Sequence, residues 1–189
     1  MEEVNNNRKL DHKNIVRCLE WREEAKFYRP GKPEKTVAYV VQEYVHGSDL
    51  FDCIAKDVGA FDEPTCRYFF KQLLEAIFYM HSHGVAHRDF KLENIMLDEK
   101  RQLKVIDLGF SIPTAGRDNT AIARSFKGTL AYMPPEVHAR QGYFPTEHDM
   151  FGAAVILFLM RSGAFPFYKA VREDALYSMI INWRSEKFW

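Results

Sequence analysis

The 189-residue sequence predicts an α+β fold in which a few strands precede a mostly helical body. Three stretches support this prediction. β-Branched and aromatic residues dominate "TVAYVVQEYV" at 36–45, which is typical of a strand. Apolar residues recur at helical spacing across 62–84, and a continuous apolar run, "GAAVILFLM" at 152–160, lies within a second helical stretch at 147–163. Strands that come first and helices that come later indicate the α+β class.

The composition is that of a folded domain without a global charge. Hydrophobic residues make up 47% of the chain, and 26 Lys and Arg balance 26 Asp and Glu. We therefore expect neither nucleic acid nor a membrane as a partner, and we expect function to lie in local sites. The three cysteines form no C-x-x-C pair, which argues against a disulfide framework and a zinc knuckle. The polar N-terminus is no signal peptide, so we expect a cytoplasmic or nuclear protein.

The first elements along the chain are expected to be an antiparallel pair of strands. "NIVRCLEW" at 14–21 is the expected partner of 36–45. "FYRPGKPEK" at 27–35 is expected to be an exposed connection, because two prolines and a glycine interrupt pairing.

A long helix is predicted next. Asp62 is its candidate N-cap, Pro64 fits its first turn, and Gly84 closes it. Apolar residues on one broad face predict that this helix is well buried: Phe69, Phe70, Leu73, Leu74, Ile77 and Phe78.

The later elements are two short strands and a second helix. "NIML" at 94–97 and "QLKVID" at 102–107 read as apolar strands separated by a turn. The helix at 147–163 is apolar nearly all round, so we expect it at the centre of a helical bundle.

Charged and polar side chains are concentrated in "HRDFKLEN" at 87–94. Asp89 could accept a hydrogen bond from a substrate hydroxyl, Lys91 could stabilise a moving phosphate, and Asn94 could offer a neutral oxygen to Mg²⁺. Asp107 ends an apolar strand, where a carboxylate is costly unless it meets a cation or strong donors. Asn94 and Asp107 together would form an oxygen-rich site suited to Mg²⁺ rather than zinc.

"HRDFKLEN", followed by "DLG" at 107–109 and "GTLAYMPPE" at 128–136, resembles the catalytic loop, metal-binding turn and activation segment of the eukaryotic protein kinases. "LDHKNIV" at 10–16 and "DMFGAAVILFLMRSGAFPF" at 149–167 resemble further parts of the same domain, so the resemblance covers nearly the whole chain. "EYVHGSDLFD" and "FPF" are most similar to the calcium/calmodulin-dependent and AMP-activated branch.

The resemblance implies a protein-kinase-like fold, truncated at both ends. Residues 1–43 are expected to be a remnant of the small β-rich lobe, 44–49 the hinge, and 50–189 a mostly helical large lobe, incomplete at its C-terminus. No glycine-rich G-x-G-x-x-G loop and no strand lysine stand in the sequence. Counting back from His12 places Glu3 at the glutamate of the regulatory helix.

The resemblance also assigns roles in phosphoryl transfer. It implies Asp89 as the catalytic base, Asn94 and Asp107 as magnesium ligands, and Lys91 as the phosphate contact. Thr129 matches a threonine that bridges the base and this lysine. Lys91 and Thr129 point to serine and threonine acceptors in protein substrates.

ATP is the implied phosphoryl donor. Gln42 would be the gatekeeper, and the backbone of Glu43 and Val45 would meet adenine. Asp49 would lie near the ribose, and Met96 beneath the base.

Regulation and specificity are implied by charged residues near the loop. Arg88 could grip a phosphate on Ser125, which matches the usual activating phosphosite and would be modified by an upstream kinase. Thr120 is the competing site. Asp49 and Glu93 would form an acidic rim that favours a basic residue upstream of the phosphorylated site.

Two functions of different class remain open. The chain belongs either to an active serine/threonine kinase with its retained catalytic positions intact, or to a catalytically inactive binding module or decoy. For these 189 residues alone we expect weak or no turnover, because the phosphate-covering loop and the strand lysine are missing. A small-molecule phosphotransferase is disfavoured by Lys91 and by the long segment at 128–136.

Overall fold

The computed structural model describes residue 6 and residues 8–58, 60–116 and 120–188, with the side chains at 56–58, 185 and 187 left aside. Glu3, which the sequence predicts as the regulatory-helix glutamate, lies outside the described residues. Strands occupy much of the first 49 residues and the two long helices follow them, so the α+β prediction is confirmed.

β1 (Cys18–Phe27) and β2 (Lys35–Gln42) pair as an antiparallel two-stranded sheet with an exposed connection. The predicted strand at 14–21 is confirmed as the antiparallel partner of β2 at 18–21 and is wrong at 14–17. Residues 14–16 instead lie beside Val105 in a parallel bridge. Val16 N donates to Val105 O at 2.8 Å, and Val105 N donates to Asn14 O at 2.8 Å. Ile15 is thereby buried in the main core, which prevents the segment from extending β1.

β3 (Gly47–Asp49) leads into the short helix α1 (Leu50–Asp52), a π-helical stretch (Cys53–Val58) and the long helix α2 (Glu63–Ser82). Asp62 caps α2 as predicted, because its carboxylate accepts a hydrogen bond of 3.0 Å from Thr65 N. Gly84 follows the last turn in the left-handed region, at φ 73°.

Four short strands come next: β4 (Val85–Ala86), β5 (Ile95–Asp98), β6 (Leu103–Val105) and β7 (Ile112–Pro113). β5 lies between β3 and β6 in an antiparallel sheet, and β4 pairs with β7. The "HRDFKLEN" loop therefore runs from β4 to β5, and the residues that follow β6 start beside the end of this loop.

The remaining helices are α3 (Pro135–His138), α4 (Pro145–Ser162), α5 (Ala175–Ile181) and α6 (Ser185–Phe188). α4 packs against α2, and both helices contribute to one apolar core with β5 and β6. Among the most buried core residues are Leu73, Ile77, Met80, Val105, Ile156 and Met160. None of the described helices has the length and apolar character that a membrane crossing needs.

The outer faces of α2 and α4 are open over the described residues. Phe78 is 69% exposed and Ala154 is also exposed. We predicted that α2 is buried over its apolar face and that α4 lies at the centre of a bundle. Both predictions are wrong for the outer faces of these helices. A helix buries only the stripe that meets a neighbour, and here both outer stripes border a groove of about 1320 Å³.

Candidate active site

Asp149 of α4 fixes the start of the "HRDFKLEN" loop. Its fully buried carboxylate accepts hydrogen bonds from Arg88 N at 2.7 Å and His87 N at 2.9 Å. The same carboxylate meets His81 Nε2 at 2.8 Å. A buried acid with donors on both oxygens holds the loop backbone rigidly, because losing any of them would leave a desolvated charge.

The His87 ring links the loop to Ile106, the residue before Asp107. Asp89 N donates to His87 Nδ1 at 3.2 Å, which makes Nδ1 an acceptor and places the proton on Nε2. Nε2 then donates to Ile106 O at 3.1 Å, and the ring stacks on Phe90 with centroids 4.4 Å apart. His87 therefore has a structural role in joining two segments of the site.

Asp89 lies at the centre of a cluster of polar side chains and is only 4% exposed. Thr129 Oγ1 donates to its Oδ1 at 2.9 Å, and Lys91 Nζ lies 3.1 Å from its Oδ2. Asn94 Nδ2 donates to Oδ2 at 3.1 Å and to the Asp89 carbonyl at 2.9 Å. Lys91 Nζ also donates to Thr129 Oγ1 at 3.3 Å, so three side chains orient one carboxylate.

Asn94 and Asp107 both lie near one end of the β5–β6 pair. Ile106 N donates to Asn94 O at 3.0 Å, which places Asp107 next to the end of the loop. Both Asn94 bonds to Asp89 use Nδ2, so its amide oxygen is the atom that a cation would meet. Asp107 is exposed, and its Oδ1 accepts a hydrogen bond of 3.0 Å from Gly109 N. An amide oxygen and a carboxylate are hard oxygen donors that fit Mg²⁺.

Two of these positions have a strained backbone. Arg88 has φ 66° and Asp107 has φ 56°, in the left-handed region that non-glycine residues rarely adopt. Each such conformation costs on the order of 1 kcal/mol and persists only where surrounding contacts impose it. Here the imposing contacts are the Asp149 bond to Arg88 N and the Gly109 bond to Asp107.

No group of three or more His, Cys, Asp or Glu side chains within the described part of the chain is arranged to hold a metal ion. The fit to Mg²⁺ therefore depends on the amide of Asn94 as well as on Asp107.

Glu43 and Val45 lie in the segment between β2 and β3. The Glu43 side chain forms an ion pair with Lys104 and accepts a hydrogen bond of 3.3 Å from Arg17 N. Its N–H donates to Arg17 O at 2.9 Å, and Val45 is buried. Gln42 is half-buried at the end of β2.

Asp49 and Met96 are brought together by the β3–β5 pairing, in which they are direct partners. Met96 is half-buried and stands two residues after Asn94, so this pair borders the loop. The Asp49 carboxylate accepts a hydrogen bond of 2.7 Å from Asp52 N and caps α1.

A family model described as "Protein kinase domain" matches residues 1–187. The chain belongs to the protein kinase family. It is 42% identical over 133 residues to "CBL-interacting serine/threonine-protein kinase 13" of Arabidopsis thaliana. The aligned residues make up 70% of this chain and 26% of that protein. It is 38% identical over 166 residues to "CBL-interacting protein kinase 12" of Oryza sativa subsp. japonica, 88% of this chain and 28% of that protein.

The chain thus spans a little over a quarter of the length of these relatives. The predicted protein-kinase-like fold and the predicted similarity to serine/threonine protein kinases are confirmed.

In this kinase chain, Arg88 and Ser125 are in direct contact. Arg88 Nη1 donates to Ser125 Oγ at 2.5 Å, and Arg88 Nε donates to Phe110 O at 2.7 Å. Thr120, the competing site, accepts a hydrogen bond of 3.3 Å from Ile122 N within its own segment. Of these two candidate sites, Ser125 is the one whose hydroxyl is observed to accept a hydrogen bond from Arg88.

The sequence did not single out Tyr132 and Tyr143 of the kinase chain. Tyr132 OH accepts a hydrogen bond of 3.4 Å from Leu92 N, and burial raises the pKa of this phenol. Tyr143 OH donates to Ser125 O at 2.9 Å. Both contacts join segments that are far apart along the chain, so no local spacing could have indicated them.

Proposed function

We propose that this protein transfers the γ-phosphoryl group of ATP to serine and threonine hydroxyls of protein substrates. The observation that carries the proposal is the buried Asp89 carboxylate, which Thr129, Lys91 and Asn94 orient. In the reaction, the substrate oxygen forms a bond to the γ-phosphorus while the bond from that phosphorus to the β–γ bridging oxygen breaks and ADP leaves. The hydroxyl proton passes to Asp89.

Lys91 and Thr129 support serine and threonine as acceptors. Lys91 Nζ is held 3.1 Å from Asp89, so its charge lies where the transferred phosphoryl group would pass. Asn94 and Asp107 would hold Mg²⁺, which neutralises phosphate charge when it is bound. The relatives are named serine/threonine kinases, which agrees with this acceptor class.

The nucleotide would lie between the segment after β2 and the catalytic loop. In the proposed arrangement, residues 1–43 belong to the small lobe, 44–49 form the hinge, and 50–189 belong to the large lobe. The backbone of Glu43 and Val45 would contact adenine, with Gln42 as gatekeeper, and the paired Asp49 and Met96 would border the ribose and the base.

Regulation by an upstream kinase at Ser125 completes the proposal. Its hydroxyl already contacts Arg88, so a phosphate there would form charge-assisted bonds without a large movement. An acidic rim at Asp49 and Glu93 would favour substrates with a basic residue upstream. The relatives are named as CBL-interacting, so a CBL protein is a candidate partner, testable by co-purification. We place the protein in the cytoplasm or nucleus.

The decisive experiment measures phosphoryl transfer from ATP to serine, threonine and tyrosine peptide libraries by the full-length protein in Mg²⁺ buffer. Asp89→Asn should keep ATP binding and lower kcat by at least about 100-fold, because the proton acceptor is lost. Asp107→Asn should weaken Mg²⁺-dependent ATP binding itself. Glu99→Gln, an exposed acid in the β5–β6 turn, is the matched control and should change neither quantity.

The outcomes separate the two open functions. Transfer to serine or threonine that depends on Asp89 supports the kinase. ATP or protein binding without any transfer by the unaltered protein would instead show a catalytically inactive binding module. Equal transfer by Asp89→Asn would refute the assigned base.

A further inference from the structure

Tyr143 joins the three segments that meet at Ser125. Its hydroxyl donates to Ser125 O at 2.9 Å and accepts from Arg88 Nη1 at 3.3 Å. Its backbone forms a two-way pair with Ala123, with Ala123 N to Tyr143 O at 2.8 Å and Tyr143 N to Ala123 O at 3.0 Å. The residue therefore holds positions 123 and 125 by its main chain and its side chain together.

The Tyr143 ring is packed against neighbours on several sides. It is 3% exposed and lies in a small apolar cluster, whose other members are Ile112, Ala123, Met133 and Val137. The ring also meets His148, with centroids 5.5 Å apart. The preceding Gly142 lies so close to Ile122 that a Cβ would be 2.7 Å from Ile122 Cγ2. Tight packing on all these sides fixes where the hydroxyl points.

Arg88 is a buried cation whose guanidinium donates to neutral oxygens within the described part of the chain. It is 3% exposed, and its guanidinium donates to Phe110 O, Ser125 Oγ and Tyr143 OH. Neutral acceptors satisfy its hydrogen bonds but do not neutralise its charge. A phosphate dianion on Ser125 would therefore form strong charge-assisted hydrogen bonds with Arg88. The strength of these bonds depends on how accurately the Ser125 main chain is held.

We propose that Tyr143 is a positioning residue that aligns Ser125 with Arg88, so that a phosphoryl group on Ser125 Oγ meets the guanidinium. This inference rests on the proposed regulation at Ser125. An upstream kinase would supply the group from ATP: an oxygen–phosphorus bond forms at Ser125 Oγ, the bond between the γ-phosphorus and the β–γ bridging oxygen breaks, and ADP leaves. The hydroxyl proton passes to the base of that upstream enzyme.

The first test does not require activity. Phosphoserine is incorporated at position 125 of the full-length protein, and the second pKa of the phosphate is followed by ³¹P NMR. In the unaltered protein it should lie below its ordinary value of about 6, because Arg88 favours the dianion. Tyr143→Phe keeps the ring and removes the hydroxyl, and it should raise this pKa by roughly 0.5 pH unit or more.

The matched control is Tyr168→Phe, which removes the hydroxyl of a tyrosine that is 81% exposed and should leave the phosphate pKa unchanged. A phosphate pKa in Tyr143→Phe equal to that of the unaltered protein would overturn the proposal. Because this readout needs no turnover, it decides the role of Tyr143 even if the protein proves to have no kinase activity.

The second test compares kcat in two backgrounds. Tyr143→Phe should lower kcat of the Ser125-phosphorylated protein by about tenfold, the effect of losing roughly one charge-assisted hydrogen bond, with the KM for ATP much less affected. In a Ser125→Ala background the loss should be several-fold smaller. Equal losses in both backgrounds would show a purely structural role and would contradict positioning of the phosphate.

Discussion

The Thr129 hydroxyl donates a hydrogen bond of 2.9 Å to the Asp89 carboxylate while accepting one of 3.3 Å from Lys91 Nζ. Thr129 is separated from Asp89 by 40 residues, and it stands one position after Gly128, which packs against Arg88. The orientation of the candidate base therefore depends on the placement of the activation segment. Any change that displaces this segment should affect Asp89 before it affects the apolar core.

Thr129→Val tests this dependence, because valine keeps the shape of threonine and lacks the hydroxyl. We expect kcat for phosphoryl transfer to fall by roughly 10- to 100-fold, since Asp89 loses one of its orienting donors. Thr129→Ser should recover most of the activity. Steady-state kinetics of the full-length protein on a serine peptide would measure both, and unchanged kcat in Thr129→Val would contradict the role of this hydroxyl.

Gly128→Ala should destabilise the fold strongly. Gly128 has φ 113°, and a Cβ there would lie 2.7 Å from Arg88 O. We expect the free energy of unfolding to fall by about 2–4 kcal/mol, from backbone strain and overpacking together. Gly31→Ala is the control, because Gly31 has φ 72° with no atom within 4 Å of the added Cβ. It should cost only about 1 kcal/mol, and equal losses in urea unfolding would exclude the clash as the cause.

Asp149→Asn should loosen the catalytic loop. The amide keeps one acceptor oxygen and replaces the other with an NH2 donor, so the N–H group of either His87 or Arg88 would lose its acceptor. We expect a loss of about 2–4 kcal/mol in unfolding free energy and faster hydrogen exchange at these two amides. Asp11→Asn, at an exposed position, should leave both measurements unchanged. Retained protection of both amides would show that other contacts hold the loop.

His148 should make the fold sensitive to acid. Burial lowers the pKa of this imidazole, since the ring is 2% exposed and neither nitrogen makes a hydrogen bond of ordinary geometry in the described structure. Asp149 and the Lys127 backbone oppose this effect, and Arg88 reinforces it. In the unfolded chain this imidazole takes up a proton at its ordinary pKa of about 6.5, whereas in the folded protein it does so only at lower pH.

Between these two pH values the unfolded state binds more protons, so the free energy of unfolding should decrease as the pH falls through that window. His148→Gln removes the titrating group, and its urea midpoint should decline less between about pH 7 and 5 than that of the unaltered protein. His46→Gln, at an exposed position, should keep the original slope. A slope in His148→Gln as steep as in the unaltered protein would assign the acid sensitivity to other groups.

Local signals in the sequence predicted those secondary-structure elements well whose conformation depends mainly on residues close to them in the chain. The cap at Asp62, the helical spacing through Ile77 and the left-handed Gly84 all follow from neighbouring residues, and the structure has each of them. The prediction for 14–21 was right for 18–21, which pair with β2, and wrong for 14–17, and the expected burial of Phe78 was wrong. Pairing partners and helix coverage depend on distant segments, which the periodicity of a single stretch does not describe.

The sequence by itself determined the kinase family and the residue types around the catalytic loop, since Asp89, Lys91 and Asn94 stand within six positions and a short loop brings them together. Only the tertiary structure decided that Thr129 orients Asp89 and that Tyr143 and Ser125 enclose Arg88. The physical reason is the separation of the contacting residues along the chain. Spacing along the chain defines neighbours within one element, whereas contacts across 37 to 55 residues arise only when packed elements bring separate segments together.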